Sequence, residues 1–455
     1  MASSLLAFKS RLTFLGATVY NNWGGGGIKV GGAEINSPKE EHADYLVKFG
    51  LDCVRQGRLD EALESYREAF QIYQLHGNKI GEANTANNIG MVYDRRGELD
   101  KALECYELAL DIYDSAGSLL GRADALTNIG VIFARKGKMD EALKLHEKAL
   151  EMYTDADYPK GQADALTNIG IVHSRRGDLE PAIECFEEAI SLYAACGKEE
   201  AHANLLNNLG NIYLRQGRLR DALDKYGEAL ALHERCGSLL GQANSLGSIS
   251  IVKFELGDVD GALETYAESL GMYERAGEPL GKARALGNIG NMLLHKGSLD
   301  EAQESFSRAS EIYEKMGEPY GQANSLENMG MVCFQKGMTD EALEAFEKAL
   351  KLYGEMGNAI AQAQCLGNIG NVHLSLGEND EAIASYRAAL DIFEAQGDVR
   401  GRANTLLGLG FAVGGKGLGR EAARLLDEAK ELFTELGARE ADLEFIDRQI
   451  ARLIG

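Results

Sequence analysis

Two rows of polar side chains recur in this 455-residue chain at a spacing of forty residues. The first is asparagine: Asn88, Asn128, Asn168, Asn208, Asn288, Asn328 and Asn368. The second is arginine: Arg55, Arg95, Arg135, Arg175 and Arg215, giving way to Glu255, His295, Gln335, Ser375 and Gly415. A carboxamide offers both a donor and an acceptor, so a row of them can hold a polypeptide backbone without reading its sequence. A guanidinium pairs with a carboxylate through two parallel hydrogen bonds. Asparagine is a poor helix-interior residue, so local propensity does not account for seven of them. Two structural alternatives stay open. The amides could bond between neighbouring repeats, and the arginines could pair with acids such as Asp94, Asp124 or Asp164.

Other chemistry is hard to find. There is no Walker motif, HExxH, GxSxG or metal-spaced Cys/His cluster. Gly281-Lys282 follows Gly277 but lacks the spacing and the Ser/Thr of a phosphate loop. The eight histidines are dispersed; His146 stands where other repeats carry an aromatic, and His173 and His373 occupy the position of Tyr93. They read as packing residues. The seven cysteines are odd in number and form no CxxC pair, so they are expected to be small buried residues in a reducing compartment. The expectation is a chain with no catalytic residue, no metal site and no cofactor.

The elements that position the two rows follow from the period. Gly57, Gly97, Gly137 and their successors to Gly417 stand forty apart without insertion, as do Ala62, Ala102 and their successors to Ala422. Strict self-similarity of this kind is the signature of a solenoid. In Gly81–Leu120 the repeat reads as two helices, from about Gly81 to Arg96 and from about Asp100 to Ser115. Gly97 turns between them and Gly117 closes the second, a row that only Asp157 breaks. An acid such as Asp100 in the first turn of the second helix suits the positive end of its dipole. Ile89, Val92 and Tyr93 share a face directed at Leu103, Tyr106, Leu110 and Tyr113. Gly90 and Ala109 are small where the two helix axes should approach most closely, each replaced by serine only in the sixth repeat (Ser250, Ser269). Positions 84, 88, 91 and 95 step by 4, 3 and 4 on the opposite face. On that face later repeats add Asn211, Asn291 and Asn371, and also Asn244, Asn324 and Asn404, giving one arginine-lined and one amide-lined section.

The set Ile89–Gly90–Tyr93 followed by Ala102, Tyr106 and Ala109 resembles the tetratricopeptide repeat, lengthened by six residues from the usual period of ~34. Its G-x-A-x-x-x-x-N-I-G form is similar to the repeats of the Pins/LGN cell-polarity adaptors and of many prokaryotic tetratricopeptide repeat proteins. The resemblance covers Glu41 to about Gly437. It implies an all-α fold, a right-handed superhelix of ten helix-turn-helix repeats with the first helices lining the concave side. It also implies that the asparagine row contacts an extended ligand. In departure from the adaptors, no G-protein-regulatory segment follows the repeats.

The expected organisation is a non-repeat segment over 1–40, ten repeats over 41–438 and a capping helix over 439–455. Residues 1–40 have no acid before Glu34 and place Leu5, Leu6, Phe8, Leu12 and Phe14 near Lys9 and Arg11. A flexible tail, an organelle presequence and a surface membrane anchor are all compatible with that composition. Otherwise the cysteines point to the cytoplasm, and no apolar run approaches the ~20 residues that span a bilayer. Pro38, Pro159, Pro279 and Pro319 are expected in the tail or loops, and Pro181 in a first helical turn. The glycines from Gly408 to Gly419 should weaken the tenth repeat, and Leu443, Phe445, Ile446, Ile450 and Leu453 should form the inner face of the cap. A net charge of −23 argues against general nucleic-acid binding.

The function expected from these rows is a non-enzymatic scaffold whose groove holds an extended, acid-containing peptide. If repeats advance by about 10 Å, a strand rising ~3.3 Å per residue passes one repeat every three residues. Five arginines then match roughly a dozen ligand residues. The alternatives are a self-assembling protein, in which copies pair as homo-oligomers, and a peptide-sensing regulatory subunit.

Overall fold

A computed structural model describes residues 38–454. The expectations placed on the first thirty-seven residues lie outside the described residues. All regular structure that is described is helical, in twenty-one helices of 15 to 18 residues. The described residues fall into two compact units that divide between Leu232 and His233. Within each, consecutive helices pack on one another in sequence order.

The second repeat shows why the sequence folds this way. Its helices run Lys79–Arg95 and Leu99–Ala116. Gly97 adopts φ +76, and Glu98 N donates to Tyr93 O at 2.9 Å, so the left-handed glycine lets the chain reverse while satisfying a terminal carbonyl. Gly117 repeats the device at the end of the second helix (φ +66), and Asp157, at φ +48, is the non-glycine residue forced into this conformation. Side-chain caps are built into several first helices: Asn78 accepts from Gly81 N at 2.9 Å and Asp398 from Gly401 N at 2.9 Å. Pro159, Pro279 and Pro319 open first helices instead of lying in loops. Their missing N–H would have had no intrahelical acceptor there.

Within each unit the core is built of aromatic rings seated on glycines. Ile89, Val92, Tyr93, Tyr106 and Tyr113 are all buried. The small row at Gly90 admits a ring: a methyl group there would lie 2.7 Å from Cε1 of Tyr106, and at Gly170 2.4 Å from Cε1 of Phe186. A second glycine row seats the ring of the preceding repeat. A methyl at Gly121 would lie 2.3 Å from Cδ1 of Tyr113, and at Gly281 2.3 Å from Cδ1 of Tyr273. One glycine therefore closes each helix pair and the other closes the joint to the next pair. In the sixth repeat the serines keep this packing because both buried hydroxyls find carbonyls. Ser250 donates to Ala262 O, and Ser269 to Ala243 O at 2.7 Å.

Surface ion pairs add a second kind of joint. In the first unit Arg96 pairs with Asp60, Lys136 with Asp100 and Arg176 with Asp140, each thirty-six residues back. Lys296–Asp260, Lys336–Asp300 and Lys416–Asp380 repeat it in the second. The Lys136 ammonium pulls the Asp100 carboxyl below its ordinary pKa. These acids are largely exposed, so the ladder is weak and salt-sensitive. The acids that open second helices thus face a cation of the next repeat as well as a helix dipole.

The glycines of the tenth repeat have packing roles of their own. Its first helix, Val399–Gly415, forms in spite of its glycines because they are contact surfaces. A methyl at Gly410 would meet Leu426 at 2.7 Å, and one at Gly414 would meet Leu453 of the terminal helix at 2.9 Å. Gly419 lies against the backbone of Leu453, where a methyl would be 2.3 Å from its carbonyl oxygen. The terminal helix, Glu440–Ile454, packs on the tenth repeat, with Ile446 buried. Phe445 does not turn inward as expected; it is 46% exposed, its ring edge-on to Phe411 at 6.4 Å. Cys236 is likewise exposed and Cys185 and Cys196 half-buried, while Cys53, Cys105, Cys333 and Cys365 fit the buried expectation.

Candidate functional site

The arginine row lies wholly in the first unit, at the ends of first helices. Arg95 Nη1 donates to Val54 O at 3.5 Å. Arg135 Nη1 donates to Asp94 O at 3.2 Å and also to the Asp94 carboxylate. Arg215 Nη1 donates to Ser174 O at 3.0 Å and to Ser174 Oγ at 3.1 Å. Each reaches forty-one residues back, to the last turn of the preceding first helix. The carbonyls there already accept from the turn glycines Gly57, Gly97 and Gly177, but they carry the negative end of the dipole and have a second lone pair, so a cation is favoured. Arg55, at the start of the row, pairs with Asp52 in its own helix at 3.1 Å. Arg175 is exposed and has no hydrogen bond or ion pair among the described residues. The pairing of Arg135 with Asp94 is the structural alternative read from sequence. A guanidinium has five N–H groups, however, and these contacts engage only Nη1.

The asparagines divide by partner. Asn128 Nδ2 donates to Asn87 Oδ1 of the preceding repeat at 3.0 Å, and Asn368 Nδ2 to Glu327 Oε1 at 3.2 Å, both again forty-one residues back. Asn288 Nδ2 donates to the Tyr266 hydroxyl at 2.8 Å, and Asn328 Nδ2 to Asn324 Oδ1 at 3.3 Å. Asn88, Asn168 and Asn208 are partly exposed and form no side-chain hydrogen bond among the described residues. Of the later additions, Asn211 and Asn371 are exposed but accept hydroxyl protons from Tyr226 and Tyr386, both at 2.7 Å. Asn291 is exposed, and the ring fifteen residues on in its own repeat is Phe306, which has no hydroxyl to give.

Position 84 is less free than its place on the helix suggests. The Tyr113 hydroxyl donates to Asn84 Oδ1, Tyr153 to Asp124 at 2.5 Å, Tyr193 to Asp164 at 2.6 Å and Tyr273 to Asn244 at 2.6 Å. Burial, aided by the neighbouring Asp124 carboxylate, pushes the Tyr153 phenol far above its ordinary pKa, so it stays a donor. A tyrosine twenty-nine residues after an Asp or Asn was the signal in sequence that this position serves the fold.

His146 is buried and desolvation depresses its pKa to about 4. Among the described residues no group of three or more His, Cys, Asp or Glu side chains is arranged to hold a metal ion. No helix there is long and apolar enough to cross a membrane.

The model of the tetratricopeptide repeat family matches residues 41–115, 121–195, 202–275, 281–355 and 359–439. The chain belongs to the tetratricopeptide repeat family. A search of curated proteins returns no match. Among solved structures, this tetratricopeptide repeat chain is similar to a signal transduction ATPase with numerous domains from Pyrococcus horikoshii, which carries a tetratricopeptide repeat sensor. The two are 14% identical with a TM-score of 0.61, over 91% of this chain and 66% of that one. It is also similar to aspartyl phosphate phosphatase F from Bacillus subtilis, at 15% identity and a TM-score of 0.51, over 77% of this chain and 93% of that one. At these identities the likeness is one of fold. Tetratricopeptide repeat proteins as a family mediate protein–protein interactions, and that is the general class to which this chain is assigned.

Proposed function

We propose that the chain is a non-enzymatic scaffold that holds an extended, acid-containing segment of another protein against the first-helix face of its first unit. The observation that carries this reading is the set left unengaged on that face. Arg175, Asn168 and Asn208 have no side-chain partner among the described residues and are at least partly exposed. Asn168 and Arg175 lie seven residues apart, two turns of one helix, so they share a side of it. Asn208 follows forty residues later in the next repeat. The fold accounts for Arg135, Asn128 and the position-84 residues; it does not account for these three.

In this reading the amides bracket the ligand's backbone and Arg175, assisted by the outer N–H groups of Arg95 and Arg215, takes its carboxylates. The test uses dodecapeptides selected on the full-length chain from a random display library. Replacing Asn168 and Asn208 together with alanine is expected to weaken peptides of unrelated sequence roughly tenfold, as loss of one or two hydrogen bonds would. Circular dichroism should be unchanged. An unaltered Kd would return the two amides to a purely structural role.

A further inference from the structure

One residue in the second unit is out of character with its row. At the position of Asn87 the repeats carry Val47, Asn87, Thr127, Thr167, Asn207, Gly247, Gly287, Glu327, Gly367 and Leu407. Glu327 is the single charged member. Its carboxylate is part-buried and accepts two hydrogen bonds, from Tyr353 OH to Oε2 and from Asn368 Nδ2 to Oε1, both at 3.2 Å. No lysine, arginine or histidine pairs with it among the described residues. Burial raises the carboxyl above its ordinary pKa, while the Tyr353 hydrogen bond opposes that rise.

The fold does not need this carboxylate. Tyr113 and Tyr273, at the position of Tyr353, donate to Asn84 and Asn244. The eighth repeat has the equivalent Asn324, which instead accepts from Asn328 at 3.3 Å. Glu327 has therefore displaced an acceptor that was already sufficient. Open space marks the same position in the neighbouring repeats, one of them next in the chain to Asn368, which bonds Glu327. At the same position of the repeats before and after stand Gly287 and Gly367, and a methyl group added at either would meet nothing within 4 Å. These are not ring seats like Gly290 or Gly370, where an added methyl would lie 2.7 or 2.8 Å from a ring carbon. In a helix interior such glycines are unfavourable, and packing gives no reason for them.

We infer that Glu327 and the clear space beside Gly287 and Gly367 form a receptor for one basic group of a bound polypeptide, the ammonium or guanidinium of a side chain or a free N-terminus. A half-buried carboxylate held by two neutral donors and lacking a cation is completed by one. Flanking glycines admit the long stem that carries it. This rests on the reading that first-helix faces of this chain hold a polypeptide, and it adds a second, opposite charge requirement to the ligand.

The experiment selects dodecapeptides on the full-length chain from two random libraries, one N-acetylated and one with free amino termini. Selected peptides are then measured on Glu327→Gln and Gly367→Gln. Glutamine at 327 keeps the shape and an acceptor for Tyr353. At 367 an added Cβ meets nothing within 4 Å and glutamine improves helix propensity, so this variant is designed to occupy the space without weakening the fold, which its urea midpoint checks. Wild type is expected to enrich lysine or arginine from the acetylated library, or to bind the free amino terminus in the other, and both variants should lose at least tenfold in affinity. Acid-enriched ligands with no basic enrichment, or basic ligands that bind both variants as tightly as wild type, would overturn the receptor while leaving the arginine face standing. Basic ligands without acid enrichment would overturn the arginine reading alone, and no ligand from either library would overturn both.

Discussion

Replacing Gly170 with alanine is expected to lower stability by about 1–3 kcal/mol, the usual cost of forcing added volume into a packed core. The new methyl would sit 2.4 Å from Cε1 and 2.6 Å from Cδ1 of Phe186, a fully buried ring. The ring has nowhere to retreat, because the same packing continues into the adjoining helices. Gly367→Ala is the matched control. It changes the same residue type in a first helix where nothing lies within 4 Å, and there alanine should stabilise by up to ~1 kcal/mol through helix propensity. Urea unfolding checks the pair, supported by hydrogen exchange, since long repeat arrays can open locally. Opposite signs are expected. Equal effects would mean that the glycine row is a matter of propensity and not of ring seating.

The second large effect is on pH dependence. His146 stands at the ring position of the third repeat, against Gly130, where an added methyl would lie 2.6 Å from its Cε1. Burial lowers its pKa from 6.5 to about 4, so the folded chain holds it neutral. The sign follows from linkage. Well above pH 6.5 the ring is neutral in both states and adds no pH dependence. As pH falls below 6.5 the unfolded chain binds a proton that the fold refuses, and stability drops until about pH 4, where the folded ring also protonates. The full shift corresponds to about 3 kcal/mol. His146→Phe, which copies the ring at Phe186, is expected to remove most of that loss. Between pH 7.5 and pH 4.5 the variant should lose about 2–3 kcal/mol less unfolding free energy than wild type. Parallel pH profiles for the two chains would show that His146 is not held neutral.

Much of this was legible in the sequence, and the boundary is physical. A forty-residue period announces stacked helix pairs because each pair must bury its apolar face on an identical neighbour. It also locates the rows at Asn88 and Arg95 on one side of a helix. What the period does not carry is the offset between adjacent first helices. That offset brings each residue against the one forty-one positions earlier, and it joins Arg135 to Asp94 and Asn128 to Asn87. The offset of thirty-six that joins Arg96 to Asp60 is hidden for the same reason. Spacing presents Gly90 as a mere gap between helix axes, whereas Gly90 seats a ring of its own repeat, Tyr106, and Gly121 seats a ring of the preceding repeat, Tyr113. Phe445 was placed inward by spacing alone, but the cap helix meets the tenth repeat through Ile446 and Leu453. Glu327 is hard to single out by spacing, because the row it interrupts stands one position away from the row of asparagines.

The structure also sharpens how the binding face should be tested. Arg135 is a poor choice for charge reversal, since a glutamate there would face Asp94. Arg95 makes only a long bond to Val54 O and Arg175 makes none among the described residues, so both can be reversed with little cost to the fold. The decisive measurement is the affinity of acid-containing peptides selected on the full-length chain, compared between wild type and Arg95→Glu with Arg175→Glu. The account predicts a loss of roughly a hundredfold, the order expected for two charge-assisted contacts, with helicity and melting temperature unchanged. Binding that survives the double reversal at wild-type affinity would contradict it.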